Sequence, residues 1–283
     1  MRKKMIPWLF LAPSLSGVMV FMGIPFLDVV RRSFLNAMGT TFLGWDNYRA
    51  VWNNEAFRLA AGNTLHFLAV CIPALMAVSL GLALILSGMA KGGGGYGVIR
   101  TTMVLPMAVP AASMVLVWKI FLCPEGVFNQ FLSGITGQRW EIDWAFSGYA
   151  FPMLLMTYLW KHTGYDMILW LAGLGTIPGE LYEAARMDGA GSLAQLRYIT
   201  LPQLHGTFCL TGILSVVNSF RVYREAYLLA GSYPDSSIYM IPHLFAHWFL
   251  NLDIQKMTAA AVMVTAAFLL PTAVLWIWRK GKA

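Results

Sequence analysis

Apolar residues in this chain fall into long blocks separated by short polar stretches. Six blocks stand out, at roughly 6–30, 64–87, 103–122, 149–174, 206–219 with a continuation toward 230, and 258–278. A helix needs about 20 mostly apolar residues to cross a bilayer, and five of the blocks reach that length. The remaining block, the fifth, is shorter and runs into Arg221, Tyr223 and Arg224. Met1-Arg2-Lys3-Lys4 ahead of the first block would suit a secretory leader. That block is longer than a leader's apolar core, however, and no small-residue cleavage site follows Pro25, so it reads as a retained helix. The pattern predicts an all-α membrane protein, one domain over residues 1–283 with six transmembrane helices.

Between the fourth and fifth blocks the character changes. Residues 180–204 read ELYEAARMDGAGSLAQLRYITLPQL. Pro178 suits the first turn of a helix, and Glu180 and Glu183 sit near the positive end of its dipole. Ala184 and Ala185 leave a shallow surface that another protein can approach closely. Gly189 and Gly191 break the run, Ser192 is placed to cap a second short helix, and Pro202 precedes the next block. The reading is a helix-turn-helix knob over about 175–205. The plain alternative is a loop joining two spans, although loops this long are uncommon without a role of their own.

Composition narrows the class. The chain is 58% hydrophobic and 12% charged, about half the charge of an ordinary soluble domain. Cys71, Cys123 and Cys209 are scattered, with no pair at metal-ligand spacing, and read as small core residues. The net charge of +7 raises nucleic acid, but no basic stripe is interleaved with aromatics, so nucleic acid is not expected as a partner.

The positive charges instead orient the chain. Six crossings put both termini on one side. With termini in the cytoplasm, the inner segments hold Arg2, Lys3, Lys4, Lys91, Arg100, Arg186, Arg197, Arg279, Lys280 and Lys282. The outer segments, about 31–62, 123–148 and 220–257, hold Arg31, Arg32, Arg49, Arg58, Arg139, Arg221, Arg224 and Lys256 over much longer loops. Basic density therefore favours cytoplasmic termini and a cytoplasmic knob.

Polar groups inside the blocks mark candidate chemistry, because ionisable residues at membrane depth are costly and face a cavity or a partner helix. The fourth block carries Tyr158, Trp160, Lys161, His162 and Asp166, with His162 and Asp166 on one face. Two readings stand: a Lys–Asp or His–Asp pair neutralised against a neighbouring helix, or the lining of a pathway. A sugar offers one apolar face and many hydroxyls, so aromatic and hydroxyl-bearing residues are what its site would use. Tyr158, Trp160, Ser215, Asn218, Ser219 and Tyr223 meet that description. Outside the blocks, Trp45, Trp52, Trp140, Trp144 and Trp248 suit interfacial belts or protein contact. His243 and His247 share a helical face, but no Glu follows the first as in a zinc protease, and the stretch 238–250 reads as a surface or interfacial helix. No Gly-x-x-x-x-Gly-Lys-Ser/Thr phosphate loop is present. The run Lys91-Gly92-Gly93-Gly94-Gly95 has no following Lys-Ser/Thr and reads as a flexible turn. The chain is therefore not expected to be an enzyme.

Glu183-Ala184-Ala185, Gly189 after three residues, and Ile199, Leu201 and Pro202 nine residues later resemble the EAA loop of bacterial ABC importer permeases. Trp8-Leu9-Phe10-Leu11-Ala12-Pro13-Ser14, Gly44-Trp45-Asp46-Asn47-Tyr48 with Asn63-Thr64, and Arg100-Thr101 with Leu105-Pro106, Pro110 and Trp118 extend the likeness toward maltose-type sugar importers. Trp160-Lys161, Thr163-Gly164-Tyr165 and Leu171-Ala172-Gly173-Leu174 extend it further. Where relatives often carry Gly-Gly-Pro after the fifth helix, this chain has Gly231-Ser232-Tyr233-Pro234-Asp235. The resemblance implies a type I importer permease fold in a bacterial cytoplasmic membrane. Glu183, Ala184, Ala185, Asp188, Gly189, Ile199, Leu201 and Pro202 would form the coupling element, and Ser215, Asn218 and Ser219 would line part of the sugar path. It also implies a second related permease, two ATPase subunits carrying ATP and Mg, and an extracytoplasmic solute-binding protein, with no cofactor held by this chain. A glycerol phosphate or glycerol phosphodiester permease is the nearest alternative. A membrane-embedded enzyme, or an independent channel or receptor, would have to act without those partners.

Overall fold

A computed structural model describes the backbone of residues 2–89 and 95–280, and the side chains of 10–89, 95–220 and 222–269. The glycine run Lys91–Gly94, the side chains of Arg2, Lys3, Lys4, Trp8, Leu9, Arg221, Arg279 and Lys280, and all of Lys282 lie outside the described residues.

Along the chain the helices are α1 (Arg2–Val18), α2 (Ile24–Arg32), α3 (Asp46–Trp52), α4 (Glu55–Met89), α5 (Tyr96–Ala108), α6 (Ala111–Leu122), α7 (Val127–Thr136) and α8 (Ala150–Leu174). After these come α9 (Gly179–Met187), α10 (Ser192–Gln195), α11 (Leu201–Gln203), α12 (His205–Ser219), α13 (Tyr223–Ala230), α14 (Ile241–Leu250) and α15 (Ile254–Lys280). Among the described residues there is no strand, only an isolated bridge between Leu35 and Phe42. The all-α expectation holds. Among the described residues, three helices are long and apolar enough by composition to cross a membrane: Phe10–Arg32, Glu55–Met89 and the α6–α7 run Ala111–Thr136. Ser192–Gln203 with His205–Ala230, bent by 69°, would make a fourth. The fourth block forms α8 over nearly the expected residues, but Lys161, His162 and Asp166 dilute its hydropathy.

The third block departs from expectation. It is two helices, α5 and α6, separated at Val109 and Pro110, whose ψ angles of 129° and 136° are extended. Pro110 offers no N–H to continue the ladder and disfavours helical backbone at the residue before it.

Two compact units are present, residues 1–60 with 244–283, and residues 61–243. In the first, a π-turn at Met19–Gly23 joins α1 to α2 with helical backbone on both sides, so the first block is one helix with a single bulge. The Gly-Trp-Asp-Asn-Tyr motif then builds the turn that follows α2. Asn47 donates to the carbonyls of Ser33 and Leu35 at 2.9 and 2.8 Å, and the hydroxyls of Ser33 and Tyr48 meet at 2.6 Å. Phe34 packs between Trp45 and Tyr48 with centroids 5.4 and 5.2 Å away, and α15 lies against α2 and α3.

In the second unit, α8 is the central post. Phe67, Cys71 and Leu75 of α4 meet Leu154 and Tyr158 of α8 and Val222 and Ala226 near α13 in one buried cluster. Met76, Ala83 and Leu86 meet Met167, Trp170 and Leu204 in another. Helix α5 approaches α8 so closely that a methyl group built on Gly164 would overlap the Met103 carbonyl. Small residues permit this kind of backbone approach between membrane helices. Trp144, expected among the interfacial tryptophans, is buried instead, its Nε1–H donating to Asn129 Oδ1 at 2.9 Å. Beyond α13, Gly231 turns the chain at φ +75°. Asp235 then accepts the Ser237 hydroxyl at 2.6 Å and the Ser237 backbone N–H at 2.9 Å, capping a short 3-10 helix, and those bonds hold its carboxyl below its ordinary range.

The stretch around His243 is corrected. Read from the sequence as a surface or interfacial helix, it is buried at several positions: His243 is 1% exposed, and Ile241, Leu244 and Trp248, which share another face, are also buried. His243 Nδ1 accepts the Met240 N–H at 3.2 Å, and the ring meets Tyr239 and Tyr223 at 5.7 and 4.8 Å. Ile241, Leu244 and Trp248 form an apolar face at i, i+3, i+7, whereas His243 is covered on another face by Tyr223, Tyr239 and the Met240 backbone.

Candidate functional site

The helix-turn-helix knob expected from the sequence is the segment α9–α11. Pro178 stands one residue earlier than expected, at the cap, and α9 starts at Gly179. The helix ends through a paired closure. The Gly189 N–H bonds to the Arg186 carbonyl at 3.1 Å, and the Ala190 N–H bonds back to Ala185 at 2.8 Å. This termination needs a left-handed residue between its two bonds, and Gly189 supplies it at φ +79°. The spacing from Glu-Ala-Ala to the glycine is therefore that of a helix of fixed length and its stop. Ser192 does not cap α10; Gly191 holds the cap position in extended backbone and Ser192 is the first helical residue.

One side of this segment is anchored. The Tyr182 and Thr200 hydroxyls meet at 2.9 Å, and Tyr182, Ile177 and Ile199 pack on the cluster that contains Trp170 and Leu204. The other side is bare. Glu183, Ala184, Asp188, Gly189, Leu201 and Pro202 are exposed, and Ala185 and Ile199 half-buried. Met187, Leu193 and Tyr198 add large apolar groups 89%, 79% and 72% exposed. Composition alone did not single these three out, although each sits in a polar stretch where an apolar side chain has no core to enter. The result is a rigid ridge, apolar at its crest and charged at its flanks.

The second constellation lies between α8 and α12, which run antiparallel with polar stripes facing each other. Tyr158, His162, Asp166 and Trp170 repeat every four residues on α8; Thr211, Ser215 and Ser219 do so on α12. Ser215 Oγ donates to Asp166 Oδ2 at 2.8 Å, and the Tyr158 hydroxyl lies 3.4 Å from that of Ser219. His162 stacks on Tyr158 at 4.2 Å, and Trp170 Nε1–H donates to Ser79 of α4 at 3.0 Å. Gly173 completes the seam, since a methyl group there would overlap the Thr207 hydroxyl. His162 Nδ1 and Thr211 Oγ1 are buried with no hydrogen-bond partner among the described residues.

Lys161 points elsewhere. Its Nζ meets Glu225 Oε1 of α13 at 2.6 Å, with side chains only 12% and 6% exposed. Neither a Lys161–Asp166 nor a His162–Asp166 pair forms among the described residues. Glu225 escaped the sequence reading because it lies in the frayed continuation of the fifth block, where a long-range partner leaves no local signal. Removing one partner of a buried ion pair strands the other charge at a cost of about 3–5 kcal/mol. Lys161→Met is accordingly expected to lower the melting temperature of the detergent-purified chain sharply. Lys161→Met with Glu225→Leu should recover most of that loss. A single variant as stable as the double one would remove the pair from the account.

The remaining residues stand around the seam. Trp160, on the opposite side of α8, is 46% exposed, meets Trp118 edge-on at 5.9 Å, and lines an apolar groove of about 690 Å³ between α4, α5 and α8. Asn218 is half-exposed at one flank. Tyr223 lies past the 3-10 turn Phe220–Val222, against His243 and 5.6 Å from Tyr227.

Known proteins share this architecture and sequence. The lactose transport system permease protein LacF of Rhizobium radiobacter is 31% identical over 225 residues, covering 78% of this chain and 74% of that one. The trehalose/maltose transport system permease protein MalF of Thermococcus litoralis is 29% identical over 283 residues, covering 98% and 94%. A bacterial ABC transporter that imports the acidic polysaccharide alginate, known from a crystal structure, has a chain matching with a TM-score of 0.81 at 22% identity over 97% of this chain and 94% of that one, which establishes a common fold. The sequence signature of binding-protein-dependent transport system inner membrane components spans residues 77–280, from the middle of α4 to the end of α15. The chain belongs to that family.

Proposed function

We propose that this chain is a permease subunit of a binding-protein-dependent ABC importer for carbohydrate, crossing the membrane six times with both termini cytoplasmic and forming half of the translocation path. The observation that carries the reading is the α9–α11 ridge: a polar helix of fixed length, anchored on one side and bare on the other. Family membership and the sugar-transport names of LacF and MalF support it. In this reading two ATPase subunits bind ATP and Mg and receive the ridge through Glu183, Ala184, Ala185, Asp188 and Gly189. Ile199, Leu201 and Pro202 carry its movement into α12. A second permease supplies the other half of the path, and a solute-binding protein delivers sugar to the outer loops.

The polar seam suits such a machine. Asp166, Ser215, Tyr158 and Ser219 satisfy one another while the two helices are closed, and their hydroxyls and carboxylate become sugar partners if the seam parts. Trp160, Lys161, Asn218 and Tyr223 border it. Hydrogen bonds exchanged for hydrogen bonds keep either state free of stranded polar groups.

Proteoliposomes holding this chain with its partner permease and ATPase subunits are expected to accumulate a labelled saccharide only with ATP on the ATPase side and the binding protein on the other. Flux without the ATPase subunits would replace this reading with that of a channel.

A further inference from the structure

Away from the seam, the end of α6, the turn before α8 and the end of α13 line a half-open cleft of about 390 Å³, within the ~300–1,000 Å³ of small-molecule sites. Its wall includes Lys119, Cys123, Asp143, Phe146 and Gly231. Lys119 stands in the last turn of α6, at the end from which the chain enters an outer loop. The Trp144 N–H holds the opposite turn to the Leu122 carbonyl at 3.2 Å. Asp143 Oδ1 accepts the Ala145 N–H at 3.1 Å, which aims the carboxylate while leaving Oδ2 with no bond among the described residues. Gly231 closes the third side, its N–H ending α13 on Tyr227 at 2.8 Å. The Phe146 ring is 55% exposed.

The charges in this cavity select the ligand. Lys119, exposed on the α6 side, and Asp143, half-buried on the facing turn, both line the cavity yet form no ion pair with each other or with any other described residue. A purely anionic ligand would meet the carboxylate and a purely cationic one the ammonium, whereas a zwitterion or a neutral ligand with several hydroxyls satisfies both, and the carbohydrate-import reading favours the polyhydroxylated one. Hydroxyls donate to the carboxylate and accept from the ammonium, which has three donors and no acceptor. Phe146 offers an apolar face against which one side of a pyranose ring can lie.

We propose that this cavity is an outer binding site for a neutral saccharide, distinct from the α8–α12 seam, with Lys119 and Asp143 holding hydroxyls and Phe146 the ring face. The proposal rests on the carbohydrate-import reading and adds to it a first stop at the outer rim. It also sets neutral sugars ahead of glycerol phosphates, whose phosphate would face Asp143.

Cys123, on the same wall, reports occupancy. The test uses the complete transporter in membrane vesicles, with Cys71 and Cys209 of this chain replaced by serine. Uptake of a panel of labelled saccharides first identifies the one transported, and the rate of Cys123 alkylation by a small maleimide is then measured with and without it. That saccharide is expected to slow the labelling several-fold. Asp143→Asn and Lys119→Met should each remove the protection and raise the apparent KM of uptake roughly tenfold, the worth of one charged hydrogen bond. Equal labelling rates at a saccharide concentration that saturates uptake would overturn the site and leave the import reading intact. Protection by ligand-free binding protein alone would assign the cavity to a protein contact and overturn the site as well. If no saccharide is taken up, the import reading fails and this proposal fails with it.

Discussion

Gly164→Ala is expected to remove most of the folded chain from the membrane, while the same substitution at Gly81 leaves it unharmed. The methyl group at Gly164 would overlap the Met103 carbonyl, a backbone atom that no rotamer change can move aside. Helix α5 must then withdraw from α8 along the contact that organises the second unit. Overpacking a core usually costs about 1–3 kcal/mol where side chains can yield; with a backbone oxygen in the way, the cost should reach the top of that range or pass it. At Gly173 the obstacles are the Thr207 hydroxyl and a Leu204 methyl, which can shift, so Gly173→Ala should fall between. At Gly81 nothing lies within 4 Å, and alanine in a helix interior gains about 0.5–1 kcal/mol over glycine. Melting temperatures of the three purified variants should rank Gly81→Ala, Gly173→Ala, Gly164→Ala from highest to lowest. A Gly164→Ala chain that melts like the unaltered one would show that α5 and α8 do not approach as described.

The second large effect concerns the ridge. Glu183→Lys reverses a charge on its bare side and touches no packed residue, so the chain should insert and melt normally. Like charges brought together at a protein interface cost several kcal/mol; even about 2 kcal/mol amounts to roughly 30-fold in coupled activity. Gly189→Pro should act through the backbone. The native φ of +79° is closed to proline, whose ring holds φ near −65°, and the N–H that bonds Arg186 would be lost. Both variants are expected to stop ATP-driven uptake, the first with the ridge intact and the second with its stop destroyed. Normal uptake by Glu183→Lys would separate the ridge from energy coupling.

How much of this the sequence carries depends on whether a signal is local. The fourth apolar block became α8 almost residue for residue, and the second lies wholly inside α4, which begins nine residues earlier at Glu55, because burial or lipid contact along a whole helix writes itself into every turn. The break at Val109–Pro110 was equally local, yet the apolar residues on both sides concealed it. Gly189 was legible as a stop, and its left-handed angle explains why a glycine stands there. The caps at Pro178 and Ser192 were misplaced by one residue, since cap positions depend on one dihedral angle rather than on composition. The pairing of Lys161 was not legible at all: the nearest acid on its own helix, Asp166, is five residues away and on a different face, while the partner chosen, Glu225, is 64 residues on. His243 shows the converse, a polar residue in a helix read as surface or interfacial that is buried by Tyr223 and Tyr239, contacts no local pattern announces. The polar residues of α8 announced a special region, and only the facing register of α12 revealed that Asp166 and Ser215 satisfy each other.

The central claim is that this chain conducts a sugar and that its α9–α11 ridge conveys ATP hydrolysis to that path. The measurement that bears on it most directly is ATP hydrolysis by the complete transporter in lipid nanodiscs, with and without sugar-loaded binding protein, for the unaltered chain and for Glu183→Lys. The unaltered complex should hydrolyse ATP several-fold faster when the loaded binding protein is added. The variant, assembled to the same extent, should show one rate in both conditions. Equal stimulation of the two complexes would contradict the account.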